Sequence, residues 1–360
     1  ILKRLECKID GKEVTPPVFR KDLESEADLA EEIARFYGYD KITSTLMRGE
    51  AVAGGKTEKQ KMEDCVKRTL AALGLYEIYT YSFTDPKSFD KLRLPARSKL
   101  RECVTIVNPL GEEQSVMRTQ HYNEMMKTLA LNNSHRNQNV GLFELAMVYR
   151  PKALPVTELP EEREMLTIGM YGDCDFYSLK GILEELLAQM NIADYKVTAR
   201  RDHPTFHPGK TAELTVGGTP AGIFGAVHPT VCANYGLEQE AFMAELDFGV
   251  LLEHGNTKKS YHPLPKFPAV TRDLAMLCDD SVEVGSIEEI IRQCGRSLIE
   301  EIKLFDIYKG KQIPTGKKSV AYSIVFRDPN KTLEEQDVNR VMNKILTRLE
   351  EKLSVELRKN

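Results

Sequence analysis

Hydrophobic positions along these 360 residues repeat with a helical period in some stretches and alternate in others, and the switches between the two mark out the elements. Leu29, Ile33 and Phe36 fall at i, i+4 and i+7, so one apolar stripe runs along Glu26 to Tyr37. That span predicts a helix with Ser25 as its N-cap, Asp28 three residues on, acids in the first turn and Gly38 as its stop. Thr15-Pro16-Pro17 forces an extended approach to it. From about Thr57, Met62, Val66, Leu70 and Leu73 repeat, and Gly74 ends a second helix. Tyr122, Met125, Met126 and Leu129 stripe a third, Ser178 to Met190 forms a fourth, and Val338, Met342, Ile345 and Leu349 stripe a long one near the end. Between them, Leu5 to Ile9, Tyr76 to Phe83, Val104 to Val107, Leu142 to Tyr149, Ala212 to Val216 and Ile223 to Val227 read as strands.

The last block, from about Pro265, has the plainest order. Val270 to Cys278 is a strand, Ser286 to Glu289 a capping box opening a helix, Ile299 to Tyr308 a strand, and Lys309 to Lys317 a hairpin loop. Ser319 to Phe326 follows as a strand, Thr332 to Glu335 as a second capping box before the long helix, and Ser354 to Arg358 closes the sheet. This is the βαββαβ order of a ferredoxin-like fold. A stretch rich in Gly and small residues, Gly49 to Lys56, separates the first 46 residues from the rest. The expectation is an α+β, multidomain chain divided as 1–46, 57–255 and 265–360.

Composition narrows the class. At 41% hydrophobic and 29% charged the chain is ordinary for a globular protein, and no apolar run approaches the roughly 20 residues of a membrane span. Seven cysteines scattered without short paired spacings argue for a reducing cytoplasm and against a zinc site or disulfide framework. Ile1 opens inside an apparent strand, which reads as a cut in a longer parent chain. Net charge of −4 confines any nucleic-acid contact to a local patch. One such patch runs from 309 to 331, where Lys309, Lys311, Lys317, Lys318, Arg327 and Lys331 face a single acid, Asp328. A solvated hairpin and an RNA-binding hairpin both fit that composition.

Two further groups invite a chemical reading. Asp28, Glu31 and Glu32 share a face of the first helix, with Asp22 just upstream. Oxygen-only donors suit a hard cation such as magnesium. An ordinary solvated face also fits, since Arg35 sits four residues after Glu31, and spacing alone favours it. His203 and His207 have the separation of metal ligands on a helix, but Pro204 and Pro208 preclude that helix.

The run Pro17, Arg20, Asp22, Asp28-Leu29, Glu31-Glu32-Ile33-Ala34-Arg35 and Tyr37-Gly38-Tyr39-Asp40 resembles a segment of the bacterial phenylalanyl-tRNA synthetase β subunit. Asn108-Pro109-Leu110, Met117-Arg118-Thr119, Asn132 to Arg136 and Leu142-Phe143-Glu144 resemble its synthetase-like module. Lys266-Phe267-Pro268, Arg272-Asp273-Leu274-Ala275, Phe305-Asp306 with Tyr308, and Thr332-Leu333 resemble its ferredoxin-fold anticodon-binding domain. His121 to Glu124 departs from the family's pattern, where a Leu-Pro-Gly-like turn is usual. The resemblance implies a winged-helix-like start, a class II synthetase-like antiparallel sheet and an anticodon-binding end. It implies that Asp22, Asp28, Glu31 and Glu32 bind Mg2+ shared with an α subunit, in an assembly of two α and two β chains in the cytoplasm that uses ATP to join phenylalanine to its tRNA. It also implies that tRNA meets Arg272 and the 309–331 cations. Class II chemistry needs two phosphate-neutralising arginines. Arg118 is the candidate for the first, and no arginine lies between Arg201 and Arg272 to serve as the second, so no catalytic residue is expected in this chain. Two other functions compete: a free-standing nucleic-acid-binding adaptor, and a carboxylate-dependent metal hydrolase built on the four acids. The hydrolase lacks a nucleophile or general base.

Overall fold

The computed structural model describes residues 1–50, 53–261, 263–310 and 312–358. It divides into two compact units, 1–55 and 56–360. In the first, a 3-10 turn over Leu2–Leu5 precedes the hairpin strands β1 (Lys8–Asp10) and β2 (Glu13–Thr15). The strand expected from Leu5 starts later because Glu6 takes a left-handed φ of 63° and ends that turn. Helix α1 (Glu26–Tyr37) follows with the expected ends: Ser25 and Asp28 form a reciprocal capping box, and Gly38 caps the C-terminus. Its apolar stripe is only half covered, with Ile33 at 41% and Phe36 at 42% exposure, as expected of a unit too small for a large core.

The second unit opens with α2 (Glu58–Ala72), capped by Thr57 and Gln60. The chain then makes β3 (Tyr76–Glu77), β4 (Phe83–Thr84), α3 (Ser88–Lys91), β5 (Val116–Met117), α4 (Tyr122–Ser134), β6 (Val140–Arg150) and β7 (Glu161–Tyr171). After α5 (Phe176–Gln189) come β8 (Tyr195–Ala199), β9 (Phe206–Val216), β10 (Thr219–Val227), α6 (Pro229–Asn234), β11 (Ala241–Asp247) and α7 (Phe248–His254). Seven strands join in the order β3-β6-β7-β11-β10-β9-β8, antiparallel except for β3 beside β6. One face packs on α2, α5 and α7 through Val66, Leu70, Leu183, Phe224 and Phe248. The other packs on α4 and α6 through Met125, Leu129, Phe206, Val231 and Met243. Helix α4 starts at Tyr122 although the family's usual turn is missing there.

Two expected strands are shorter than the pattern suggested. Between Tyr76 and Phe83 the ladder breaks because the amide of Thr80 donates to the Glu144 carboxylate at 2.8 Å instead of to a strand carbonyl. Val104 to Val107 reduces to one bridge, Thr105 to Val116.

The C-terminal sheet comprises β12 (Val270–Asp279), β13 (Ile299–Tyr308), β14 (Lys317–Phe326) and β15 (Glu356–Leu357), ordered β13-β14-β12-β15 and antiparallel throughout. Helices α8 (Val284–Gly295) and α9 (Glu335–Leu353) cover one face through Ile287, Ile291, Ile345 and Leu349, packed on Met276, Tyr322 and Ile324. The βαββαβ order is therefore present. Neither capping box is. The N-caps are Glu283 and Glu334, without side-chain caps, because each helix begins two or three residues away from the expected serine or threonine. All seven cysteines are free thiols, and no helix among the described residues is long and apolar enough to cross a membrane.

Candidate functional site

Three places bear on function, and the acidic segment comes first in the chain. The Arg20 guanidinium bridges Asp22 at 2.6 Å and Glu32 at 3.0 Å, and Arg35 closes on the other Glu32 oxygen at 2.5 Å. Hydrogen bonds from Arg20 hold Asp22 down at about 2, and those from Arg20 and Arg35 hold Glu32 at about 2 as well. Asp28 is committed to its own helix: its carboxylate accepts from the Ser25 amide at 2.7 Å and the Ser25 hydroxyl at 2.8 Å, which lowers its pKa. Glu31 is exposed and has no ion-pair or hydrogen-bond partner for its side chain among the described residues. The four side chains offer the donor chemistry of a magnesium site. As arranged they do not fit one, because Arg20 already supplies the positive charge and no three His, Cys, Asp or Glu side chains converge to hold a metal among the described residues.

The second place is a buried polar layer in the large sheet. Arg118 is 2% exposed. Its Nε donates to the Met147 carbonyl at 2.8 Å, and its Nη1 donates to the Thr80 hydroxyl at 2.9 Å and the Tyr81 carbonyl at 3.3 Å. That hydroxyl in turn donates to Glu144 at 2.7 Å. His121 sits on the same carboxylate, 3.6 Å away, with Nδ1 3.1 Å from the Thr167 hydroxyl. Burial, and secondarily Arg118, depress its pKa well below the usual value, so the ring is neutral. Its backbone amide donates to Glu245 at 2.6 Å, a carboxyl whose pKa burial raises. Arg118 is thus locked into the sheet by carbonyls and a hydroxyl and presents nothing to a nucleotide. Glu144 stood in the sequence only as part of the Leu142-Phe143-Glu144 match and His121 only as a departure from the family's pattern, neither with a role. Glu245 was missed because it sits among apolar neighbours on β11 with no motif spacing.

Outside this layer, Tyr79, Tyr81 and Phe83 line a pocket of about 570 Å3 together with Glu124 and Lys127. Tyr76, Tyr79 and Tyr81, within one short stretch of chain, are 74%, 80% and 67% exposed. Exposed aromatic groups gathered around a pocket mark interaction surfaces. His203, by contrast, is a packing residue, edge-on to Tyr122 and Phe206, with burial pushing its pKa down to about 4.

The third place is the basic end. Every described cation expected there has a partner in its own chain. Lys309 pairs with Asp280, Lys317 with Glu356 at 2.8 Å, Arg327 with Glu300 at 2.8 Å, and Lys331 with Asp337 at 2.7 Å. Arg272 donates to the Thr271 carbonyl at 3.2 Å and lies 3.8 Å from Glu335. Lys318 is 9% exposed, its ammonium donating to the carbonyls of Asp280 and Val282. Lys311 lies outside the described residues. Phe305 and Tyr308 are exposed rather than core, at 54% and 39%.

Comparison with known proteins accounts for this arrangement in order along the chain. The tRNA synthetase B5 domain matches residues 1–39, the phenylalanyl tRNA synthetase beta chain CLM domain 42–248, and the ferredoxin-fold anticodon binding domain 265–358. Two of the three are domains of tRNA synthetases by description and the third is an anticodon-binding domain. The chain belongs to the phenylalanyl-tRNA synthetase β-chain family. It is 48% identical to the phenylalanine–tRNA ligase beta subunit of Clostridium tetani over 99% of this chain and 46% of that one. To the same subunit of Clostridium acetobutylicum it is 45% identical, over 98% of this chain and 44% of the relative. It therefore spans a little under half the length of these relatives. A pyrrolysyl-tRNA synthetase from Desulfitobacterium hafniense overlaps 55% of this chain and 70% of its own at a TM-score of 0.46 and 12% identity, a likeness too slight to carry an argument.

Proposed function

We propose that this chain is the C-terminal, non-catalytic portion of the β subunit of a cytoplasmic phenylalanine–tRNA ligase. In this reading it is assembled as two α and two β subunits, and it supports an α subunit that joins phenylalanine to its tRNA at the expense of ATP, releasing AMP and pyrophosphate. Residues 1–46, 57–255 and 265–360 are its three working parts. The observation that carries the reading is the uninterrupted order of the three matched segments on one chain. The division of labour is supported by Arg118, which is sealed in the sheet, and by the sequence, which has no arginine between Arg201 and Arg272.

The exposed Tyr76, Tyr79 and Tyr81 are the surface we assign to the α subunit. Asp22, Asp28, Glu31 and Glu32 have the donor chemistry for Mg2+ shared with that subunit, and they would hold it only once Arg20 releases Asp22 and Glu32. For tRNA, the cations Arg272, Lys309, Lys311, Lys317, Lys318, Arg327 and Lys331 remain the first assignment. Exposed ion pairs are worth only about 0–1 kcal/mol, so Lys309, Lys317 and Lys331 are able to exchange their acids for phosphates. Lys318, with its ammonium held by two carbonyls, serves the fold first.

Capture of the tagged chain from its native cell tests the reading. The class II catalytic subunit of the ligase should coelute, and Tyr79→Asp with Tyr81→Asp should abolish its recovery while the chain stays folded. Elution with nucleic acid and without that subunit would make the chain an adaptor.

A further inference from the structure

The cations on the helical side of the C-terminal sheet differ in status from those of the hairpin. Along α9, Arg340, Lys344, Arg348 and Lys352 occur at every fourth residue and form one row. All four are exposed, and none is in an ion pair among the described residues. No acid lies between Arg340 and Arg348, whereas Asp337 precedes the row and Glu350 and Glu351 fall between Arg348 and Lys352. Like charges at i, i+4 destabilise a helix, so the middle of the row, around Lys344, carries a local electrostatic cost that a bound anion would remove.

The end of α8 adds to it. The Cys294 thiol lies 3.9 Å from the Lys344 carbonyl, which sets the last turn of α8 against the middle of the row. Arg296, just beyond that turn, holds a left-handed φ of 49° and is also without an ion pair among the described residues. Arg296, Lys344, Arg348 and Lys352 line one pocket of about 500 Å3, completed by Ile290, Gln293 and Cys294, with no carboxylate in its wall.

What the row would bind follows from its shape and its neighbours. Successive cations rise about 6 Å along the helix axis and the whole row about 18 Å, longer than any single phosphate and suited to a run of them. Beside it Asn339, Asn343 and Thr347, all exposed, repeat at the same interval and add uncharged polar groups. No large apolar side chain of α9 is exposed, as a protein-docking helix would require. We propose that this helical face is a track for the phosphates of an RNA strand, a contact separate from the paired cations of Lys309 to Lys331. The inference rests on the tRNA-binding reading of this domain and gives it a second surface.

The test compares the full 360-residue chain with two variants for binding of phenylalanine tRNA across 50–200 mM salt. Lys344→Gln with Arg348→Gln should weaken binding several-fold and lower the slope of log affinity against log salt by about 1.4 to 1.8, two phosphate contacts' worth. Its unfolding midpoint should hold or rise, because repulsion has been relieved. Lys309→Gln with Lys331→Gln reports on the hairpin independently. An unchanged slope in the α9 variant, with tRNA still bound, would overturn the track and leave the tRNA reading standing. Absence of tRNA binding by the wild-type chain would remove both. Pyrophosphate displacing the RNA at micromolar concentration would assign the pocket to a small anion, and polyglutamate binding more tightly than RNA would assign the face to an acidic protein. Either result overturns the proposal.

Discussion

Arg20 shows how a single residue changes the meaning of a motif. The acids Asp22 and Glu32 are two corners of a hard-cation donor set by composition, yet one guanidinium occupies both and pulls both pKa values to about 2. Their ordinary values are 3.8 and 4.5, so the folded state binds these protons less well than the unfolded chain. The stability contributed by the bridge is therefore fully present above about pH 4.5 and is lost as pH falls from there toward about 2. Carboxyl resonances followed by NMR should titrate near 2 for Asp22 and Glu32, and Arg20→Gln should move both toward their ordinary values. Titration of both near 4 in the wild-type chain would mean that the Arg20 bridge does not form in solution. Arg20 was visible in the sequence as a match to the family. Its pairing across twelve residues, with Glu32, was not, because spacing reveals helical neighbours and hides contacts made by a returning loop.

At the scale of elements, the buried polar layer acts as a set of cross-ties. Arg118 joins the Thr80-Tyr81 segment to the Met147 carbonyl of β6, and Glu144 completes the tie by accepting from Thr80. Replacing Arg118 with Met leaves Glu144 buried without its nearest cation, a change expected to cost about 3–5 kcal/mol. Urea unfolding of the chain measures it, and a loss below about 1 kcal/mol would mean that Arg118 is not a cross-tie.

Legibility followed burial. Helix α1 was readable to the residue because its cap, stripe and stop are all local signals. Strands β7 and β11 were missed because they lie between two cores: Phe242, Ala244 and Leu246 face one and Ala241 and Met243 the other, so no polar alternation survives. The βαββαβ end was legible since β12 buries alternate residues, Leu274, Met276 and Cys278, and β14 sends Val320, Tyr322, Ile324 and Phe326 to the same core. The two capping boxes there failed because Val282 and Val284 pack against the core and draw the start of α8 earlier than Ser286, while α9 starts at Glu335, after Thr332.

For the whole molecule, the large sheet holds its buried cation, Arg118, as a cross-tie, while α9 on the C-terminal sheet carries a row of cations outside any ion pair among the described residues. Under the proposed function, such a chain positions RNA and a partner and transfers no adenylate. The most direct measurement of that claim is phenylalanine-dependent exchange of pyrophosphate into ATP. The purified chain should stay at background, and exchange should appear only in eluates that contain the α subunit. Robust exchange by the chain alone, abolished by Arg118→Ala at a temperature where that variant remains folded, would contradict the account.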